Sequence, residues 1–68
     1  MEKIKAGFIA FNGYVFTQTD ADTYNRACSD VARAIALAGP KPSPMARDAI
    51  ERARDNQNRT FKVIIGEI

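Results

Sequence analysis

Cys28 is the single cysteine of this chain, and its 68 residues include no histidine. Nucleophilic chemistry would have to begin from Cys28, a hydroxyl or a lysine. Such a nucleophile needs an adjacent base, and without histidine neither a Ser/His nor a Cys/His pair can be assembled. Cys28 falls in an apolar stripe that holds no basic residue to stabilise a thiolate. Its expected role is that of a small buried hydrophobe. Asp20 and Asp22 could form an acid/base pair, but two carboxylates at a helix start more simply cap that helix. Glu67 is a lone acid near the end of the sequence. Gly7, Gly13, Gly39 and Gly66 are dispersed, so no glycine-rich loop can cradle a phosphate. A zinc site would lack its usual ligands. The chain reads as a non-enzyme with no catalytic, cofactor-binding or metal-binding residues.

Length and charge narrow the classes further. A chain of 68 residues makes one domain, 1–68, near the lower limit for independent folding. One core of that size supplies roughly 3–5 kcal/mol of net stability unless something staples it. A lone cysteine cannot form an internal disulfide, which leaves self-association as the expected staple. The net charge is +2 and the isoelectric point about 9.0. That excess is too small to argue for nucleic acid on its own. The sequence shows no basic-then-apolar leader and no apolar run long enough to span a membrane. A single thiol suits a reducing compartment, so a cytoplasmic location is the expectation.

These properties must be built on elements, and the strongest local signal is "GFIAFNGYVFTQT". Asn12-Gly13 sits between two runs rich in β-branched and aromatic residues, and Asn and Gly both accept the positive φ that a type I′ turn needs. A β-hairpin over 3–19 is therefore predicted. Thr19 or Asp20 would cap a helix over 20–38, in which Tyr24, Cys28, Val31 and Ile35 recur at helical spacing beside Ala27, Ala34 and Ala38. Gly39 can end that helix in the left-handed conformation, and Pro40 cannot continue it. A Pro-rich connector, 39–43, leads to Ser43 as N-cap and Pro44 in the first turn of a second helix, 44–57. Ala46, Ala49, Ile50 and Ala53 give this helix a narrow apolar stripe. "NQN" then breaks the pattern, and Phe61, Val63 and Ile65 alternate as in a strand over 60–67. The predicted fold is α+β in the order ββααβ, a three-stranded sheet with a helical hairpin on one face.

That architecture poses the question of the second sheet face. A two-residue turn pairs Phe11 with Tyr14 and Ile9 with Phe16. Ile9, Phe11, Tyr14 and Phe16 would then lie under the alanine-rich helices, leaving Ala10 on the opposite side. Ile4, Phe8, Val15, Ile64 and Ile68 would form an outer apolar face, which a monomer rarely exposes without use. The expected function is a small protein-binding module, homodimeric, that occupies a surface of a larger protein or complex. Inhibitors and modulators of this size, such as phage-borne anti-CRISPR proteins, show that a chain without chemistry can act in this way. The alternative is a nucleic-acid-binding protein that uses Arg47, Arg52, Arg54, Arg59 and Lys62. Asp48, Glu51 and Asp55 interrupt that set and argue for a solvated, ion-paired helix surface instead.

Overall fold

Two helices account for most of the residues that the computed structural model describes, 3–67. Helix α1 spans Gln18–Ala38 and helix α2 spans Pro44–Ile65, and the two pack against each other as a helical hairpin. Residues 3–17 lie against the first half of α1 and the last turns of α2. The predicted three-stranded sheet is absent among the described residues. A single antiparallel bridge, Ile9 to Val15, is all that remains of it. The α+β, ββααβ assignment is thus replaced by a two-helix fold with an N-terminal ribbon.

Helix α1 starts earlier than its sequence suggests. Thr17 is the N-cap, and its side chain accepts from the Asp20 N–H at 3.1 Å. The Asp20 carboxylate in turn accepts from the Thr17 N–H at 3.2 Å. This reciprocal capping box satisfies two helix-end donors at once. Gly39 closes the helix at φ 72°, ψ −172°. Its φ is positive as expected, but its ψ is extended rather than left-handed helical, a region essentially confined to glycine. Ser43 caps α2 as its position implies, accepting from the Ala46 N–H at 3.2 Å, and Pro44 follows in the first turn.

The largest departure is at the C-terminal end, where the predicted strand 60–67 is the continuation of α2. The apolar period does not stop at Ala53. Gln57, Thr60, Phe61 and Ile64 extend the half-buried stripe, and Ile65 is buried. Phe61, Ile64 and Ile65 stand at i, i+3 and i+4 and so share one helix face. A strand would have placed Val63 inside with Phe61 and Ile65, and Val63 is instead exposed. The helix ends at Gly66, whose φ of 80° and ψ of 25° are left-handed helical. The Gly66 N–H reaches the Val63 carbonyl and the Glu67 N–H reaches the Lys62 carbonyl, at 3.2 and 2.8 Å. That double bond pattern is a Schellman motif, which satisfies carbonyls a helix end leaves free.

The ribbon also differs from its predicted register by one residue. Asn12 does not have positive φ, so the type I′ turn is excluded. The Gly13 N–H bonds the Ala10 carbonyl at 2.9 Å, and the Ala10 N–H bonds the Tyr14 carbonyl at 2.8 Å. Gly13 alone takes the positive φ, 86°, as in a three-residue loop that ends on a left-handed glycine. A one-residue slip turns the first arm over relative to the second, so Phe16 stays buried and Val15 exposed as expected while the first arm changes face. Ala10, expected outside, is therefore buried, while Ile9 and Phe11, expected under the helices, are exposed.

Phe16, 1% exposed, is the largest fully buried side chain. With Ala10 and Ile65 it forms a small core, against which Ile4, Tyr14, Tyr24, Phe61 and Ile64 pack. Along the rest of the hairpin the seam is thin. Ala21, Ala27 and Val31 are buried on α1, and Ala46, Ile50 and Ala53 are half-buried on α2. Cys28 is half-buried in this seam and its sulfur accepts from the Gln57 amide at 3.1 Å.

Candidate functional site

Asparagine side chains fasten the ribbon to the helices. Asn25 on α1 is bonded to both backbone groups of Ile4. Its Oδ1 accepts from the Ile4 N–H at 2.9 Å and its Nδ2 donates to the Ile4 carbonyl at 2.7 Å. At the ribbon tip, Asn12 Oδ1 accepts from the Tyr14 N–H at 3.1 Å, while its Nδ2 donates to the Ile65 carbonyl at 2.9 Å. That carbonyl belongs to the open C-terminal end of α2, so the tip is pinned where the helix leaves acceptors free. The neighbouring side chain, Phe11, is thereby held beside Phe61, with ring centroids 6.4 Å apart and planes 27° from parallel.

All six aromatic residues of the sequence, four Phe and two Tyr, belong to one connected cluster. Phe16 touches Phe8, Tyr14, Tyr24 and Phe61, and Phe61 also touches Phe11 and Tyr24. The inner contacts are largely edge-to-face, the arrangement the ring quadrupoles favour. On its solvent side the cluster opens as a groove of about 520 Å³ lined by Phe11, Tyr24, Asn58, Phe61, Lys62 and Glu67. Its floor is aromatic, and its rim carries an ammonium, a carboxylate and an amide. Burial raises the Tyr24 hydroxyl above its ordinary value, with the neighbouring Cys28 adding to the effect. Such a groove can take an apolar side chain and hydrogen-bond the groups that flank it. Among the described residues no cluster of three metal-ligating side chains occurs.

A second polar contact fixes the entry to α1. The Tyr14 hydroxyl donates to Asp20 Oδ2 at 2.6 Å. This bond, followed by that from the Thr17 N–H, holds the Asp20 carboxyl below its ordinary 3.8. The same bond, with burial and the Asp20 charge, raises the Tyr14 hydroxyl above 10.0. The Asp20 contribution to stability is present above the ordinary carboxylate value and is lost as pH falls through the lowered one. The Tyr14 contribution is present below 10.0 and is lost as pH rises through the raised value. The contribution of the Tyr14–Asp20 pair is therefore expected to be flat through neutrality and to decline below pH 3.8 and above pH 10.0. In Tyr14→Phe, an NMR titration of Asp20 should show its midpoint moved upward toward 3.8. An unchanged midpoint would show that the phenol does not act on the carboxylate.

The outer-face residues expected from the sequence do not share a face. Ile4 and Ile64 are half-buried and pack on the core, so they support the fold rather than a docking surface. Phe8 and Val15 are exposed, at 41% and 53%. Ile68 lies outside the described residues. The basic set is spread around α2 by the helical repeat. Positions 48, 52, 55, 59 and 62 form a stripe that reads Asp, Arg, Asp, Arg, Lys, and positions 47, 51 and 54 read Arg, Glu, Arg. Arg52 pairs with Asp48 at 2.9 Å. Arg47, Arg52, Arg54, Arg59 and Lys62 are all exposed, but only Lys62 joins the aromatic groove.

Of the groove residues, the sequence singles out Lys62 as a contact candidate but not Phe11 or Phe61, because a two-residue turn puts Phe11 on the covered face and a period of two puts Phe61 in a strand. The Gly66 cap, which follows an i, i+3, i+4 apolar set, is the signal that would have extended α2. No family model, no curated protein and no solved structure matches the chain. No helix is long and apolar enough to cross a membrane among the described residues.

Proposed function

We propose that this chain is a non-enzymatic protein-binding module whose aromatic groove receives a segment of a larger protein and so modulates it. The observation that carries this reading is Phe11, which is 80% exposed although its neighbour Asn12 is tied down on two sides. A large aromatic side chain held in water at the edge of an apolar groove is in place as an anchor, at little further entropic cost on binding. Lys62 and Glu67 on the rim suit a segment with a large apolar side chain flanked by charges of both signs. The alternating charge of α2 disfavours phosphate tracking, because each arginine has a carboxylate within a turn of it.

Selection from a displayed library of random peptides tests the reading. The wild-type chain should enrich sequences with an aromatic or large aliphatic anchor. Phe11→Ala should bind the enriched peptides about 30-fold more weakly, as expected for a central anchor worth about 2 kcal/mol. Because Phe11 is largely exposed, the variant should keep its helical circular dichroism. Equal binding by Phe11→Ala would overturn the groove reading. Failure to enrich any peptide, together with tight and steeply salt-dependent binding of duplex DNA, would favour nucleic acid instead.

A further inference from the structure

Met45 and Leu37, at 83% and 81%, are the most exposed large apolar side chains among the described residues. Leu37 stands in the last turn of α1 and Met45 in the first turn of α2, so the connector 39–43 brings both to one end of the hairpin. Ile35, also exposed, lies just behind them. The charge of this end is of one sign. From Val31 to Arg47 the chain carries Arg33, Lys41 and Arg47, and none of its eight carboxylates falls there. The three cations are exposed, and none is ion-paired among the described residues. Asp48, the next acid along α2, is already paired with Arg52 at 2.9 Å. All three prolines of the chain, Pro40, Pro42 and Pro44, also lie at this turn. Each lacks an N–H, which lowers the cost of taking the turn's backbone out of water.

We infer that this end of the hairpin docks on an anionic lipid surface, with Leu37 and Met45 among the upper acyl chains and Arg33, Lys41 and Arg47 at the headgroup phosphates. The spacing fits the depth of an interfacial contact. Arg33 lies four residues before Leu37, about 6 Å along α1, and Arg47 two residues after Met45, about 3 Å along α2. Apolar groups at a membrane surface sink about 5–10 Å into the boundary of headgroups and chains, which leaves both arginines level with the phosphates. Lys41 at the apex can keep its ammonium at the surface by snorkelling on its long stem. The combination of features selects this partner. A nucleic acid offers phosphates but no apolar layer for Leu37 and Met45, and an apolar protein surface leaves three unpaired cations without counter-charge. Anionic lipid supplies both. The aromatic groove lies toward the other end of α2, with Phe61 about 24 Å along the helix from Met45. This contact is therefore separate from the groove, and either can hold without the other.

Flotation with mixed phosphatidylcholine–phosphatidylserine vesicles should carry the full chain upward. Its affinity should exceed that for phosphatidylcholine alone on the order of 100-fold, as three cations near an anionic surface imply. Leu37→Ser and Met45→Ser, both at exposed positions, should each bind about tenfold more weakly with unchanged helical circular dichroism. Val63→Ser, 60% exposed near the far end of α2, should bind as wild type. The chain has no tryptophan, so Leu37→Trp reads insertion directly. Its emission should shift to the blue on the anionic vesicles and be quenched by lipids brominated on their chains, whereas Val63→Trp should do neither. No binding, equal binding to both vesicle types, full binding by the Leu37→Ser, Met45→Ser double variant, or an unshifted Leu37→Trp would each overturn the inference. So would binding of duplex DNA in place of vesicles, unaffected by the two serine substitutions, which would assign the cations to nucleic acid.

Discussion

Phe16→Ala is expected to be largely unfolded at 25 °C. Phe16 is the largest fully buried side chain and the hub of the aromatic cluster, with ring centroids to Phe8, Tyr14, Phe61 and Tyr24 at 5.3, 5.8, 5.8 and 6.5 Å. Truncating a buried phenylalanine removes its transfer free energy and leaves a cavity, at a cost of about 3–5 kcal/mol. A chain of this size has roughly that much stability in total. Urea denaturation followed by circular dichroism measures the loss. Phe16→Leu, which keeps most of the volume, should retain a cooperative transition. A Phe16→Ala transition within about 1 kcal/mol of wild type would show that the ring cluster does not organise the fold.

Asn58→Pro is expected to cost about 3 kcal/mol and to remove helical signal from the C-terminal third of the chain. Asn58 is an exposed residue well inside α2. Proline there deletes the N–H that bonds one turn back and drives its ring into that carbonyl. The consequence spreads, because Phe61, Ile64 and Ile65 reach the ribbon only if α2 continues past residue 58. Loss of the last turns also removes the Ile65 carbonyl from Asn12. Had residues 56–58 formed a connector before a strand, proline at 58 would be nearly neutral. Thermal melting, with backbone chemical shifts across 58–65, separates the two outcomes. A neutral substitution would refute the continuous helix.

The two parts of the chain that the sequence misdirects fail for different reasons. At the C-terminal end, Phe61, Val63 and Ile65 satisfy a strand period, and Phe61, Ile64 and Ile65 satisfy a helix period. Asn56, Asn58 and Thr60 are weak helix formers, which makes a break there plausible. Only the position of the ribbon, which buries Ile65 and half-buries Ile64 while leaving Val63 in water, selects the helix. At the ribbon tip, Asn12-Gly13 signals a turn but not its length. The turn that forms uses glycine alone for positive φ and frees the Asn12 side chain to bond α2. That choice moves Phe11 from the expected core to the edge of the groove.

The sequence by itself determined the pieces whose causes are local. The body of α1 and its end at Gly39, though not its start at Thr17, the stiff connector, and the start of α2 at Ser43-Pro44 follow from caps, prolines and a 3.6-residue period. The place of Cys28 on the inner side of α1 follows from the same period. The end of α2, the register of the ribbon and the composition of the groove were decided by tertiary structure. Each depends on contacts between residues distant in sequence: Asn25 with Ile4, Asn12 with Ile65, and Phe16 with Phe61. Local patterns there allow two solutions of similar propensity, and the burial of one phenylalanine among rings from three separate segments chooses between them.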